Sequence, residues 1–185
     1  MEQIKQLTKS LIANSFKELM LQMPFEKITI KTITDHANVI RPTFYNHFHD
    51  KFELMEWIVQ TEILDDAREL FEQGKAKEGM VRIFTGFYED REYYRKAFEI
   101  TGQNGFASTL SDLLVELIVE AGEKPPLDKP DNSVLTLQLM AQYYTSGLIT
   151  ILRNEVCVMS DTPVEEVIEA YQYLVEHTIY EIGSR

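Results

Sequence analysis

The sequence predicts an all-α protein with a small N-terminal three-helix unit and a larger helical unit behind it. Apolar residues recur every three or four positions along most of the 185 residues, which is the spacing of one buried helix face. Prolines, glycines and capping residues interrupt this pattern where helices are expected to begin and end. No segment shows a convincing apolar–polar alternation typical of a strand. We assign residues 1–51 to the first unit, the head, and 52–185 to the second, the body.

The first predicted helix runs from Ile4 to Met23, where Pro24 ends the pattern. Its apolar residues form one amphipathic stripe: Ile4, Leu7, Leu11, Ile12, Phe16, Leu19, Met20 and Met23. Thr29 can cap a second, short helix. Asn38 is the expected end of that helix, because Asn tolerates the left-handed conformation of a tight turn better than other residues with a side chain.

A third short helix, the recognition helix, is predicted over residues 41–48, with Phe44 and Phe48 on its buried face. Its remaining side chains supply a cation, hydroxyls, an amide and an imidazole: Arg41, Thr43, Tyr45, Asn46 and His47. All of these groups can donate hydrogen bonds to phosphates or base edges. Two short helices joined by a tight turn are the helix-turn-helix arrangement, whose second helix enters the DNA major groove.

A long helix is predicted to begin at Asp50, whose side chain can form a capping box with Glu53. Its apolar pattern continues to Leu70, and Gly74 is the expected end. Lys51 lies in the first turn, where a cation opposes the helix macrodipole. A DNA phosphate at that helix start would make the cation favourable, because the free N–H groups would face the same anion.

The N-terminal residues resemble the signature of the TetR family of transcriptional regulators. The resemblance is carried by Ile28–Ile33, Ala37–Val39, Thr43–Phe48 and Asp50–Leu54. By position it implies DNA contacts at Thr29, Lys31, Arg41, Pro42, Thr43, Tyr45, His47 and Lys51, and core positions at Phe44 and Phe48. Two residues depart from the family pattern: Asn38 replaces a common Gly, and Ile40 replaces a Ser that often caps the recognition helix.

The body is predicted to contain helices near residues 76–89, 91–101 and 106–121, a loop at 122–130, and two long amphipathic helices at 132–155 and 163–182. It resembles the ligand-binding and dimerisation region of the TetR family. That resemblance implies that segments 132–155 and 163–182 pair with those of a second subunit in a four-helix bundle. We therefore expect a homodimer.

Candidate effector residues lie in the body. The pair Tyr93-Tyr94 and the run Gly102–Phe106 resemble a Gram-positive branch of the family that includes activators of dihydroxyacetone kinase operons. The candidate pocket residues are Tyr94, Phe98, Gln103, Asn104, Phe106 and Tyr144. Core packing is the alternative interpretation of the aromatic residues. Gln103 and Asn104 also suit a turn between two glycines.

The charge is distributed unevenly between the two units. Residues 1–51 carry seven basic and five acidic side chains, a net charge of +2, which leaves −14 for the remainder of a chain whose total is −12. A mildly basic head on an acidic body favours one docking orientation on DNA. Because the basic charge is small, an acidic helical module that keeps the helix-turn-helix shape and binds a protein is the alternative.

The sequence offers no support for other classes of function. It holds no nucleophile elbow, phosphate-binding loop or metal pair, so we expect neither an enzyme nor a cofactor. His36, His47 and His49 lack a neighbouring cysteine and a four-residue helical spacing, so we expect no metal site. No apolar run is long enough for a membrane span or a signal core, which predicts a cytoplasmic protein without membrane contact. Cys157 lies among apolar residues and is expected to be buried and inert.

The predicted function is that of a dimer which presents two recognition helices to a palindromic operator. In such a dimer the two helices lie about one DNA turn apart, roughly 34–36 Å. An event in the body would change that spacing. The event is either the binding of a small apolar or amphipathic effector or the docking of a protein co-regulator.

Overall fold

The computed structural model describes residues 2–122, 134–159, 161–177 and 181, and the regular elements within them are all helical. The α-helices are α1 (Glu2–Gln22), α2 (Ile30–His36), α3 (Arg41–Tyr45), α4 (Lys51–Val59), α5 (Asp65–Glu72), α6 (Ala76–Glu89), α7 (Arg91–Phe98), α8 (Phe106–Ala121), α9 (Leu137–Val158) and α10 (Val164–Glu176). A 3-10 turn covers Phe25–Lys27, and a π-helical segment, Gln60–Leu64, joins α4 to α5. The all-α prediction is confirmed.

The helices α1, α2 and α3 enclose the apolar core of the head. The Thr29 hydroxyl caps α2 by accepting a hydrogen bond from the Thr32 N–H at 3.1 Å. Asn38 has a φ of 52°, in the left-handed region predicted for the turn between α2 and α3. The buried core side chains are Ile12, Ala13, Phe16, Leu19, Met20, Phe25, Ile28, Ile33, Ala37, Phe44 and Phe48. The cap and the turn read from the sequence are therefore both confirmed.

One continuous helix, formed by α4, the π segment and α5, leads from the head into the body. The Asp50 carboxylate caps its start by accepting hydrogen bonds from the N–H groups of Phe52 at 2.8 Å and Glu53 at 2.9 Å. The Glu53 carboxylate accepts from the His49 N–H, one residue before the position expected in a capping box. The π segment places one extra residue in its turn, so it rotates the faces of α5 relative to those of α4. Gly74, with a φ of 73°, follows α5 as predicted.

In the body, α6 and α8 pack on this long helix, and α7 and α9 pack on α8. Its fully buried aromatic side chains are Phe84, Phe87, Tyr93, Tyr94 and Phe106. Helix α8 packs along α9, while α7 contacts both α9 and α1 and so joins the body to the head. Gly86 of α6 allows a close approach to the π segment, because a Cβ at this position would lie 2.7 Å from Cγ1 of Ile63.

The ends of several helices differ from the sequence expectations. Helix α9 begins at Leu137 instead of residue 132, and α10 ends at Glu176. The recognition helix α3 ends at Tyr45, so His47 and Phe48 follow it in a turn. Residues 123–133 of the predicted loop and of the start of the next segment lie outside the described residues, as do 178–180 and 182 of the last segment.

Two expectations about burial are wrong or incomplete. Cys157 is exposed, because α9 buries the face that carries Leu152 and Val156, and Cys157 lies about 100° round the helix from Val156. The apolar stripe of α1 is buried from Ile12 onward, whereas its first members, Ile4, Leu7 and Leu11, are exposed. The first turns of α1 thus extend beyond the head core.

No helix among the described residues combines the length and the apolar character that crossing a membrane requires.

Candidate nucleic-acid interface

Two phenylalanines hold the recognition helix α3 from its inner side. Phe44 and Phe48 are buried, and their ring centroids lie 5.7 Å apart. Phe48 also packs edge-to-face on Trp57 of α4, again at 5.7 Å between centroids. A helix of five residues is too short to be stable alone, so these ring contacts keep α3 in place.

The outer face of α3 is accessible. Arg41 and Pro42 are exposed, Thr43 is half-buried, and Tyr45 keeps 55% of its accessible surface. Ile40 provides no side-chain hydrogen bond to the start of α3, as expected where Ser is absent. Both the open N-terminal turn and the polar side chains of α3 are therefore available to a ligand.

The two predicted contacts on α2 are exposed as well. Thr29 caps α2 and lies 2.8 Å from the Thr32 hydroxyl. Lys31 forms an ion pair with Asp35, one turn further along the helix. An exposed pair of this spacing contributes only about 0.3–0.5 kcal/mol. A phosphate can therefore replace Asp35 as the partner of Lys31 at little cost.

Two lysines of α1, which the sequence predictions did not assign to this surface, add positive charge beside α3. The Lys9 ammonium lies 5.4 Å from the Trp57 ring centroid and 5.6 Å from that of Phe48. Burial, together with the charges of Lys9 and Lys5, lowers the pKa of His47. Lys5 and Lys9 are four residues apart and share one helix face, so their spacing was a signal available in the sequence.

Lys51 makes contacts that the sequence did not predict. Its ammonium donates to the carbonyl oxygens of Phe25 at 2.6 Å and Ile28 at 3.0 Å, and it lies 3.8 Å from the centroid of the Phe25 ring. Burial lowers the pKa of Lys51. These oxygens offset the unfavourable macrodipole at the start of α4, so a DNA phosphate is not needed to explain the cation. Contact between Lys51 and phosphate stays a prediction.

An acidic surface lies on α4 and α8. Burial, followed by the negative charges of Glu53, Glu116 and Asp112, raises the pKa of Glu56. These carboxylates are therefore near enough to repel one another. Glu53 and Glu56 also line a small groove with Lys9 and His47, so this negative charge lies next to the basic residues beside α3.

The six predicted effector residues do not form one pocket. Tyr94, Phe98 and Phe106 are buried in an aromatic cluster with Phe87, in which ring centroids are separated by 4.5 to 6.4 Å. These separations are those of directly packed rings, which fits the core-packing interpretation. The Tyr94 hydroxyl is buried and has no hydrogen-bond partner among the described residues, and burial raises its pKa well above the usual value. Tyr144 lies on α9, outside this cluster.

Gln103 and Asn104 line a different site, an open groove between the head and the body. The groove has a volume of about 380 Å³ and is also lined by Phe25, Glu26, Lys51, Phe52, Ile100 and Thr101. The loop that carries both amides turns at Gly102, whose φ is 99°. A molecule in this groove would contact both units of the chain.

A further open surface lies between α9 and α10. Its exposed aromatic and aliphatic side chains are Tyr143, Tyr144, Tyr173, Leu174 and Val175. All of them except Tyr173 border a groove of about 590 Å³ that also reaches Gly147, Thr150 and Tyr171. An exposed apolar surface of this kind is typical of an interaction site.

The described residues contain no group of three His, Cys, Asp or Glu side chains that could hold a metal ion. His36 lies 3.5 Å from Glu18, and His49 is exposed. The histidines around the helix-turn-helix therefore have separate environments.

Comparison with known proteins relates both units to transcriptional regulators. Residues 74–177, more than half of the chain, match a TetR C-terminal family model described as a transcriptional regulator C-terminal region. The HTH-type dhaKLM operon transcriptional activator DhaS of Lactococcus lactis is 23% identical over 152 residues, which cover 81% of this chain and 80% of that protein.

Solved structures show the same fold. A dihydroxyacetone kinase operon activator DhaS matches with a TM-score of 0.63 at 21% identity, over 91% of this chain and 92% of the other. The fatty acid degradation regulator FadR from Bacillus halodurans matches with a TM-score of 0.65 at 17% identity, over 93% and 96%. The matched portions run through the head as well as the body, since they leave less than a tenth of this chain uncovered.

Proposed function

The chain belongs to the TetR family of transcriptional regulators and is a regulator, not an enzyme; from this premise we propose that it binds a palindromic operator as a homodimer. The head, residues 1–51, binds DNA, and the body, residues 52–185, dimerises and controls that binding. The proposed contacts are Thr29, Lys31, Arg41, Pro42, Thr43, Tyr45, His47 and Lys51. Lys5 and Lys9 extend the same surface along α1.

The observation that carries this proposal is the division of α3 into two faces. Phe44 and Phe48 fix the helix to the head core, while Arg41 and Tyr45 remain exposed on the other side. A helix held rigidly from within, with a cation and hydroxyls on its outer face, has the chemistry needed to read a major groove. Basic residues of α1 and α2 flank it and supply phosphate contacts, which position a protein on the duplex.

The apolar surface of α9 and α10 supports dimerisation through these helices. Tyr143, Leu174 and Val175 are exposed although a soluble monomer gains nothing from such side chains in water. Two copies of α9 and α10, paired face to face, would bury them in a four-helix bundle. The two heads then lie on the same side of the dimer, as a palindromic operator requires.

Control by the body is best supported at the groove between the two units. An effector seated there would contact Gln103 and Asn104 on the body side and Phe25 and Lys51 on the head side. Such an effector would favour one position of the head over another only if it made better contacts in that position. The aromatic cluster around Tyr94 is filled in this conformation, so a ligand there would require its rings to separate.

The test is a selection of genomic fragments by the purified protein at low salt, followed by binding measurements over a salt series. We expect a palindrome with half-sites about one DNA turn apart, and an affinity that falls steeply as salt rises. Arg41→Gln should weaken binding and flatten the salt dependence, whereas Lys77→Gln, which removes an exposed cation from the body, should do neither. Failure to recover any palindrome would favour the acidic protein-binding module instead.

A further inference from the structure

Lys17 of α1 is held between two carboxylates of the body. Its ammonium lies 2.8 Å from Oε2 of Glu62 and 2.5 Å from Oδ2 of Asp90. The Lys17 side chain keeps only 19% of its accessible surface, so water screens these ion pairs less than it screens surface pairs. A long side chain of the head is thus fixed at a point where the head meets the body.

The two partners of Lys17 come from different parts of the body. Glu62 lies in the π segment of the long helix, and Asp90 lies at the junction of α6 and α7. The Lys17 ammonium also lies 5.5 Å from the ring centroid of Tyr93, the third residue of α7. A movement of the α6–α7 junction against the long helix cannot preserve both ion pairs without moving Lys17.

The π segment is itself held by a side chain of α6. Arg82 donates to the backbone carbonyl oxygen of Glu62 at 2.5 Å and to the Asp66 carboxylate at 2.9 Å. A side chain that bonds a helix carbonyl in this way is a recognised cause of local distortion in a helix. The backbone that presents Glu62 to Lys17 therefore depends on the position of α6.

Helix α1 connects Lys17 to the recognition helix through the head core. Phe16, next to Lys17, is fully buried, and α1 packs on α2, which packs on α3. A closely packed core transmits displacement because its side chains have no room to absorb it. The orientation of α1 relative to the body thus sets the orientation of α3.

We propose that Lys17 is a positioning residue for DNA binding, which fixes the angle between head and body and so the separation of the two recognition helices in the dimer. This inference rests on the proposed function. We call the two ion pairs from Lys17 to Glu62 and Asp90 the Lys17 bridge. Through this bridge, a movement in the body would change the operator spacing that the dimer accepts.

The experiment compares the selected operator with two variants whose half-sites are moved one base pair closer or farther apart, and with a single half-site. The wild type should bind the selected spacing about tenfold more tightly than the altered ones, within the usual range of coupling between sites. Lys17→Met should reduce this preference to about twofold or less while leaving single half-site binding unchanged, because the Lys17 side chain is not part of the DNA surface. Lys17→Arg, which keeps the charge, should restore most of the preference.

Lys27→Met is the matched control, since it removes an exposed cation from the same unit without touching the bridge. It should leave the spacing preference intact. If Lys17→Met does not fold, Asp90→Asn can be used instead. It removes one of the two ion pairs and should also reduce the preference for the selected half-site spacing. A wild-type protein that binds no palindrome would defeat the proposed function, whereas a Lys17→Met protein that binds DNA with the full spacing preference would defeat this inference alone.

Discussion

The Lys51 ammonium donates a hydrogen bond to the backbone carbonyl oxygen of Phe25 at 2.6 Å and thereby ties the first turn of α4 to the connector between α1 and α2. A second bond, to Ile28 at 3.0 Å, strengthens the same link. Hydrogen bonds from a charged donor contribute more than neutral ones. Lys51 is therefore a structural residue of the head, whatever it contributes to DNA binding.

Replacing Lys51 by Met should lower the free energy of unfolding by roughly 1–3 kcal/mol. The methionine keeps an apolar stem that can pack on Phe25. The decrease in the free energy of unfolding therefore measures the loss of the two hydrogen bonds to the carbonyl oxygens. Urea unfolding of the DNA-free protein measures this change. The same variant should flatten the salt dependence of operator binding by about one unit of slope if Lys51 also contacts a phosphate. An unfolding midpoint equal to that of the wild type would refute the structural role.

Tyr45→Phe should weaken operator binding by about fivefold to tenfold, the value of one hydrogen bond, and leave the thermal midpoint nearly unchanged. The reason is that Tyr45 is more than half exposed, so its hydroxyl contributes little to the core. Phe44→Leu, at the adjacent buried position, is the matched control and should lower the midpoint clearly. A large loss of stability in Tyr45→Phe would show that the residue belongs to the core.

Operator binding should tighten as the pH falls through the pKa of His47. Burial and the charges of Lys9 and Lys5 lower this pKa in the free protein, so His47 is neutral near pH 7. A DNA phosphate favours the imidazolium, so binding takes up a proton and is favoured at lower pH. The stability of the DNA-free protein should depend on pH in the opposite direction. The unfolded chain binds this proton more readily than the folded one, so stability decreases as the pH falls below the pKa of His47 in the unfolded chain. Operator affinity measured between about pH 5.5 and 8 should increase toward low pH in the wild type, and this increase should be absent in His47→Gln.

If the chain dimerises through α9 and α10 as proposed, Leu174→Glu should leave a folded monomer. A carboxylate in the centre of the paired α9–α10 surface would be buried without a partner, at a cost of several kcal/mol. Val158→Glu places the same charge on an exposed position of α9 outside the groove and should leave the dimer intact. Sedimentation velocity distinguishes the two species. Equal sedimentation of Leu174→Glu and wild type would move the interface elsewhere.

Gly86→Ala should destabilise the protein even though alanine favours helix formation by about 1 kcal/mol. The new methyl group would lie 2.7 Å from Cγ1 of the buried Ile63, and such overpacking costs about 1–3 kcal/mol. Thermal unfolding should therefore shift downward. Ile63→Ala, which removes Cγ1, should cost less stability in Gly86→Ala than in the wild type, because the space it leaves can take the new methyl group. A stabilised Gly86→Ala protein would mean that α6 can move away from the π segment freely.

Local signals account for what could be predicted of the head. The Thr29 cap, the left-handed Asn38 and the Asp50 cap each depend on the backbone preferences and hydrogen bonds of a few neighbouring residues. They located the ends of α2 and the start of the long helix correctly. The polar face of α3 followed from helical spacing once Phe44 and Phe48 were taken as buried.

Signals of the same kind did not show which of the predicted effector residues lie in the core and which line a groove. Tyr94, Phe98 and Phe106 have the residue types of a binding pocket, yet they pack against one another and Phe87. Gln103 and Asn104, by contrast, lie at a groove that exists only because the body docks on the head. Residue type indicates what a side chain can do, while its neighbours in the fold decide whether a ligand can reach it.

The sequence by itself determined the all-α class, the helix-turn-helix and the exposed polar face of its second helix, because periodicity and capping act over a few residues. Only the tertiary structure decided the direction of the long cationic side chains. Lys51 turns to Phe25, 26 residues away, and Lys17 reaches Glu62 across 45 residues. A lysine has several rotatable bonds and no strong local preference, so its position is set by whichever oxygen atoms folding brings within its reach.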